Sequence, residues 1–263
     1  IRYSTSGESK INDDSKINEC QPLEGNVNSE EFYISHNGNI PKLKTHDTQY
    51  IAEFINKSEG DDIESKLISL IKTIPCAYSI LILTNDCIYG MRDRYGIRPL
   101  CIGKCDKSYC ISSESCALQD FKLDRDVLPG EIIKINDKGL QTIYQNDKSK
   151  LSICAFEYLY FLKPDSICDG FNVSDVRNNL GTILANKETL TIDDDYIVIG
   201  IPNSGLLSAK SYASSLSIKY TQAITKNKYS NRTFIIPNNV DRINACNNKF
   251  IYEIYFIIIH NCS

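Results

Sequence analysis

Hydrophobic positions change their spacing about halfway along this chain. Before residue 150, short β-rich runs follow closely on one another with turn residues between them. Tyr78–Leu83 and Cys87–Gly90 flank Thr84-Asn85-Asp86 and predict a hairpin. Pro99–Lys104 and Tyr109–Ser112 predict a second around Cys105-Asp106-Lys107. Glu131–Ile135 and Leu140–Tyr144 predict a third, turned by Asp137-Lys138-Gly139. Ahead of these, Ile51, Phe54 and Ile55, then Ile63, Leu67, Leu70, Ile71 and Ile74, recur at helical spacing. Antiparallel strands with segregated helices predict a layered α+β domain.

Beyond residue 150 the order alternates. Ser174 is expected to cap a helix carrying Val176, Leu180, Ile183 and Leu184 on one face. Tyr196–Ile201 is a continuous apolar run of the kind buried on both faces of a parallel sheet. Pro202-Asn203-Ser204-Gly205 reads as a turn, Leu206–Leu216 as a helix and Lys219–Ile224 as the next strand. Such a βαβ unit binds ligands at the carboxyl ends of its strands. The change of pattern places a boundary at residues 145–152 and predicts two domains, 1–148 and 149–263.

Composition narrows the class. The 263 residues are 42% hydrophobic and 24% charged, as in ordinary globular proteins. A net charge of -4 and a pI near 5.5 argue against a nucleic-acid binder, which would carry a basic face. Ile1-Arg2-Tyr3-Ser4-Thr5 is polar and unlike a signal peptide. Phe250–Ile259, the most apolar run, is interrupted by Glu253 and too short to span a bilayer. A soluble cytoplasmic protein with no membrane or nucleic-acid partner is the expectation. The 11 cysteines form no CxxC pair. Cys101, Cys105, Cys110 and Cys116 cluster loosely, but their spacings fit no zinc template, and reduced thiols are expected.

No single motif is a general catalytic signature, and only His36, His46 and His260 are available for a conventional relay. Read together, the short motifs say more. Arg2-Tyr3-Ser4-Thr5-Ser6-Gly7, His36-Asn37-Gly38-Asn39 and the run Arg92-Asp93-Arg94-Tyr95-Gly96-Ile97-Arg98-Pro99-Leu100 resemble the glutaminase domain of the N-terminal-nucleophile class. Residues 154–166, from Cys154 to Ser166, and 226–235, from Lys226 to Ile235, resemble segments of the amidophosphoribosyltransferases. The resemblance runs from residue 1 to about 240. Arg94 stands where this family usually has proline, a departure towards the asparagine synthetases. It implies a layered αββα glutaminase domain with its start missing, followed by an α/β phosphoribosyltransferase-type domain with its end missing.

Glutamine is a zwitterion with a side-chain amide, so its carboxylate seeks a guanidinium and its amine a carboxylate. The resemblance assigns these roles to Arg2 and Asp47. It assigns the oxyanion of the tetrahedral intermediate to the Asn37 side-chain amide and the Gly38 backbone N–H. The plain alternatives are a surface arginine, a helix N-cap and a tight turn. Arg92 and Asp93 are expected to pair structurally. The class uses a mature N-terminal cysteine as nucleophile, with its own α-amine as base. Position 1 here is Ile1, and Cys20 lies beyond the Arg-Tyr-Ser-Thr segment.

In the second half, a strand–turn–helix suits phosphoribosyl pyrophosphate, which travels with Mg²⁺. Pro202-Asn203-Ser204-Gly205 is similar to the family's Pro-Asp-Ser-Gly, in which the serine contacts the metal, with Asn203 replacing the acid. Lys226, Lys228 and Arg232 match the basic loop that closes over the pyrophosphate. Cys154 aligns with an iron–sulfur ligand of some members, and a buried structural thiol is expected in its place. The family's paired aspartates have no counterpart after Tyr255–Ile259.

The resemblance thus implies glutamine and phosphoribosyl pyrophosphate as ligands and an assembly of identical chains. The alternatives are a non-catalytic paralogue acting as a binding or regulatory module, and an asparagine-synthetase-like amidotransferase. The expectation for the chain as written is no turnover. Assays of pyrophosphate release with ammonia, and of glutamate release from glutamine, check it against a buffer blank.

Overall fold

The structure, a computed structural model, describes residues 20–41, 43, 46–227 and 238–252. Two compact units divide the chain. One is formed by the residues up to Glu157 together with Asp165–Gly170, the other by Tyr158–Pro164 and the residues from Phe171 onward. The first unit thus runs past the boundary expected at residues 145–152 and takes back a short later segment.

The first unit is built on a six-stranded antiparallel sheet. Its strands are β1 (Leu23–Val27), β2 (Glu30–Asn39), β3 (Ala77–Leu83), β4 (Ile88–Arg92), β8 (Glu131–Asn136) and β9 (Gly139–Gln145), side by side in that order. Helices α1 (Asp47–Lys57) and α2 (Ile63–Thr73) cover one face. Alternation along each strand divides the side chains between two cores. Ile80, Ile82, Tyr89, Met91 and Ile132 join Ile51, Ile55, Leu67, Leu70 and Ile71 of the helices. Leu81 and Ile133 turn the other way, towards Ile102 and Ile111 of a three-stranded sheet and Leu100 and Val127 at its ends. That sheet consists of β5 (Cys101–Cys105), β6 (Ser108–Ser112) and β7 (Lys122–Asp126), with β5 central. A Cβ on Gly90 would stand 3.0 Å from Ile133 Cγ1 and 3.2 Å from Ile111 Cδ1, so the sheets meet closely there. Of the expected αββα layering, the described residues of this unit form three layers and no second helical one.

The three hairpins and both helices of the first unit lie where the periodicity predicts them. Strand β2 is different. Asn37-Gly38 is not a tight turn but lies near the end of a ten-residue strand, paired with Ser79 and Tyr78 of β3. Its period-two pattern is hidden in the sequence because His36 and Gly38 occupy buried positions alongside Phe32 and Ile34.

Arg92 and Asp93 do not form the expected pair. Arg92, 1% exposed, spends all its donors elsewhere. Its Nε donates to Arg98 O (2.9 Å), Nη1 to Val127 O (2.9 Å) and Asp169 Oδ1 (2.8 Å), and Nη2 to Gly96 O and Asp169 Oδ2 (both 2.8 Å). The Asp93 carboxylate instead accepts from the backbone N–H groups of Tyr95 (2.8 Å) and Arg98 (3.1 Å), closing the turn that follows β4. Successive residues leave an extended strand on opposite sides, which keeps the two apart. Asp169 belongs to the short Asp165–Gly170 segment, held further by Ser166 Oγ donating to Glu114 Oε2 (2.8 Å) and Ile167 N to Ser115 Oγ (2.7 Å). The two-residue strand β10 (Ile167–Cys168) lies within this segment, and β11 (Phe171–Asn172) follows it in the chain.

In the second unit, α3 (Val173–Asn186) is capped by Asn172, whose Oδ1 accepts from Ser174 N (2.9 Å) and Asp175 N (3.3 Å), so the cap lies two residues before Ser174. The helix buries Val173, Arg177, Gly181 and Ala185. The expected apolar face is the outer one: Ile183 is 50% and Leu184 59% exposed. Gly181 explains the inversion, because a Cβ there would lie 2.2 Å from Ser208 O of α4 (Leu206–Ser215), so only small side chains let the helices approach. Strand β12 (Ile197–Ile199) pairs in parallel with β13 (Lys219–Thr221), and α4 lies between them in the chain, completing the predicted βαβ unit. The strand is three residues long and half-buried, not a long run buried on both faces; Tyr196 and Ile201 beyond its ends are 47% and 58% exposed. Strand β14 (Ile224–Lys226) then pairs antiparallel with β15 (Phe250–Tyr252), after α5 (Asn239–Asn247). No helix among the described residues is long and apolar enough to cross a membrane.

Removing one member of a buried ion pair strands the other's charge. Asp169→Ala should therefore destabilise the first unit by about 3–5 kcal/mol, read from the urea midpoint of unfolding, whereas Lys57→Ala, at an exposed ion pair, should cost under about 1 kcal/mol.

Candidate functional site

The polar end of the six-stranded sheet gathers most of the described candidates of the first unit. Asn37 is half-buried and Gly38 buried near the end of β2. A Cβ at Gly38 would lie 2.4 Å from Ala77 O, 2.6 Å from His36 Nε2 and 2.8 Å from Tyr78 Cα, so no side chain fits and the β3 backbone can approach. Asp47 opens α1, but it is not the N-cap. That position is His46, which makes no capping hydrogen bond with its side chain. The Asp47 carboxylate accepts from Ile40 N (3.0 Å), two residues beyond Gly38. One backbone hydrogen bond thus brings Asp47 to the end of β2 that carries Asn37 and Gly38. Arg2 lies outside the described residues.

A buried polar relay fixes the start of α1 against β2. Gln21 Nε2 donates to Thr48 Oγ1 (2.8 Å), His36 N donates to Gln21 Oε1 (2.5 Å), and His36 Nδ1 lies 3.3 Å from Thr48 Oγ1. Nothing in the local pattern marks Gln21 or Thr48, because the relay joins residues up to 27 positions apart. Cys76, Tyr78 and Asp93 also belong to this neighbourhood. Burial raises the Cys76 thiol above its ordinary value, and the negative charges of Asp47 and Asp93 add to the shift. Burial likewise raises Asp93, against the backbone N–H groups of Arg98, Tyr95 and Ile97 that hold its charged form.

Asp126, Cys168 and Asp169 form the one group of three metal-type donors close together among the described residues. Their bonds account for them without an ion. Both Asp169 oxygens are taken by Arg92, and Asp126 Oδ2 accepts from Asp169 N (2.9 Å). Burial, and next the Asp169 charge, raises the Asp126 carboxyl. In the three-stranded sheet, Cys101 pairs across from Asp126, and burial pushes its thiol up to about 12. Burial of this kind disfavours the reactive thiolate. Cys154 is half-buried rather than buried, and no group of three donors includes it among the described residues.

In the second unit, Ser204 and Gly205 occupy the turn between β12 and α4, at the carboxyl end of the strand, and both are half-buried. Gly205 N donates to Ile201 O (3.0 Å), and a Cβ on Gly205 would stand 2.9 Å from that oxygen. The turn is therefore tight, with backbone at its surface. Lys226 is half-buried in β14, which belongs to a different two-stranded sheet from β12. Lys228 and Arg232 lie outside the described residues.

This architecture is found in solved enzymes. A glutamine phosphoribosylpyrophosphate amidotransferase from B. subtilis, complexed with ADP and GMP, matches with a TM-score of 0.78 and 30% identity, covering 98% of this chain and 58% of that one. A structure described as the allosteric regulatory enzyme of purine biosynthesis matches with a TM-score of 0.76 and 31% identity, covering 89% and 54%. The class is thus that of the phosphoribosylpyrophosphate amidotransferases. Among curated proteins, amidophosphoribosyltransferases of Archaeoglobus fulgidus and Staphylococcus aureus are 32% and 34% identical over 90% of the chain, and that of Methanocaldococcus jannaschii is 32% identical over 92%. Over the length it spans, the chain belongs to the amidophosphoribosyltransferase family. It spans about half the length of these relatives, 50–57%. No protein-family profile matches the chain.

Because Asp126 has a raised carboxyl, its neutral form is the one the fold prefers. Stability from this group is full in acid and declines as pH rises through the folded-state value, the reverse of a salt-bridged carboxylate. Asp126→Asn should hence match or exceed the parent in stability at pH 7, with the difference vanishing below about pH 4, measured by urea unfolding across pH.

Proposed function

We propose that the two units serve glutamine-dependent synthesis of 5-phosphoribosylamine, the opening step of purine synthesis, with residues 1–148 in the glutaminase domain and 149–263 in the phosphoribosyltransferase domain, the chain as written binding both substrates without turning them over. The supporting observation is family-level similarity that extends over both units. On this reading the first unit is an N-terminal-nucleophile-type αββα domain and the second an α/β phosphoribosyltransferase-type domain, in an assembly of identical chains in the cytoplasm.

Each described residue then has a chemical task. The Asp47 carboxylate has capacity beyond its bond to Ile40 N–H, since two oxygens offer about four acceptor sites, and it takes the α-ammonium of glutamine. Arg2 takes the α-carboxylate. Attack on the side-chain amide places negative charge on its oxygen, and the Asn37 carboxamide with the Gly38 N–H receives it. Rigidity matters because donors set before the reaction need no reorganisation. The clash that forbids a side chain at Gly38 supports that rigidity.

At the second site, the Gly205 and Leu206 N–H groups are spent inside the turn, on Ile201 O and Asn203 O, so phosphate is met by the Ser204 hydroxyl and by the positive end of the α4 dipole. Lys226, Lys228 and Arg232 supply cationic charge to the pyrophosphate. Mg²⁺ belongs to the substrate. The turn offers it the Ser204 hydroxyl and the neutral Asn203 amide, a weak donor set that suits an ion arriving already bound to phosphates. The ammonia released from glutamine displaces pyrophosphate at the ribosyl carbon. Among the described residues Cys154 has no donor set around it that fits an iron–sulfur cluster, and no step runs through one.

Calorimetric titration tests the reading on the protein. Glutamine and Mg²⁺–phosphoribosyl pyrophosphate should both bind, and Asp47→Asn should weaken glutamine by about 10-fold to 100-fold while leaving phosphoribosyl pyrophosphate unchanged. Binding of neither ligand defeats the proposal.

A further inference from the structure

The Tyr78 side chain is 1% exposed, yet its hydroxyl has no hydrogen-bond partner among the described residues. A buried hydroxyl left this way costs about 1–3 kcal/mol, so a fold that keeps one needs a reason. The place is specific. Tyr78 faces Gly38 directly across the β2–β3 ladder, and residues opposed in an antiparallel pair present their side chains to the same face. Its carbonyl accepts from Asp93 N (2.9 Å), which ties the strand position to the turn after β4. The charges that reach the phenol are those of Asp93, Cys76 and Arg94, and those that reach Cys76 are Asp47 and Asp93. The phenol and Asp47 therefore share Cys76 as a neighbour, and the strand pairing sets Tyr78 opposite Gly38. Burial and the adjacent Asp93 hold it protonated, so it can donate.

A second such atom lies next to Asp47 in the chain. His46 Nδ1 is buried without a partner among the described residues, on the residue that directly precedes Asp47. Two such polar atoms thus belong to residues next to the candidate site, one across the ladder from Gly38 and one preceding Asp47.

We infer that the Tyr78 hydroxyl is a substrate-binding group of this site, donating a hydrogen bond to an oxygen of the bound amino acid. The inference rests on the glutamine reading and adds a residue that reading does not contain. Phenylalanine keeps the ring and removes only the donor, so the fold loses nothing and sheds an unsatisfied group. Loss of the bond to substrate falls on binding.

The experiment compares the parent, Tyr78→Phe and Asp47→Asn by calorimetric titration with L-glutamine and by thermal melting without ligand. Tyr78→Phe is expected to melt at or above the parent's temperature and to bind glutamine about 5-fold to 50-fold more weakly. Unchanged affinity in Tyr78→Phe, beside a weakened Asp47→Asn, overturns this inference alone. A parent that does not bind glutamine removes the glutamine reading, and this inference with it. A Tyr78→Phe protein that melts well below the parent, or does not fold, assigns the hydroxyl to structure and also overturns the proposal.

Discussion

One buried guanidinium organises the first unit. Arg92 has five N–H donors and meets five acceptors: three backbone carbonyls and both oxygens of Asp169. A cation out of water is costly unless it is paired and every donor is used. Meeting that condition forces a geometry. The carbonyls of Gly96 and Arg98 must curl back over β4, that of Val127 must come from the end of β7, and Asp169 must return from beyond the break between the units. The Arg-Asp-x-x-Gly-Ile-Arg-Pro run is best understood as a device for this convergence. Gly96 has a φ of 62°, in the left-handed region, and a Cβ there would stand 2.8 Å from Pro129 Cγ.

The candidate site depends on the same turn. Asp93 takes two backbone N–H groups that shape the connection after β4, and its own N–H holds Tyr78 O. The polar end of β3 is thus fixed from one side by the Arg92–Asp93 turn. The Gln21–His36–Thr48 relay fixes the neighbouring end of β2 and the start of α1 from the other. Gly38 lies between these two supports, and Asp47 is set against the same strand end by Ile40 N–H. A site whose donors must be in place before charge develops gains from being built on strands locked in this way.

The second unit solves its packing differently. Arg177 is buried by donating Nε to Tyr158 O and Nη2 to Leu162 O (both 2.8 Å). Ser208 Oγ then donates to Arg177 O (2.8 Å), and Ser211 Oγ to Asn178 Oδ1 (3.1 Å). Polar bonds and small residues join α3 to α4, where an apolar stripe was expected to do so. The stripe of Leu180, Ile183 and Leu184 is left outward, an example of hydrophobic spacing that identifies a helix without saying which side is covered.

Helices α1 and α2, the three hairpins and the order β12–α4–β13 were legible in the sequence, because each rests on local periodicity and nearby turn residues. Asn37, Gly38 and Asp47 stood out in the sequence as motif residues, and the fold brings them to one strand end. The separation of Arg92 from Asp93, and the choice of Asp169 77 positions away as partner, belongs to the tertiary structure, because a buried charge selects its counterion by proximity in space. Strand β2 was hidden for a related reason: His36 and Gly38 are buried by their neighbours and not by their own hydrophobicity. Residue pattern determined which segments become helix or strand. Only the folded chain decided which polar groups are buried, and so which must be satisfied, since desolvation is a property of the surroundings and not of the residue.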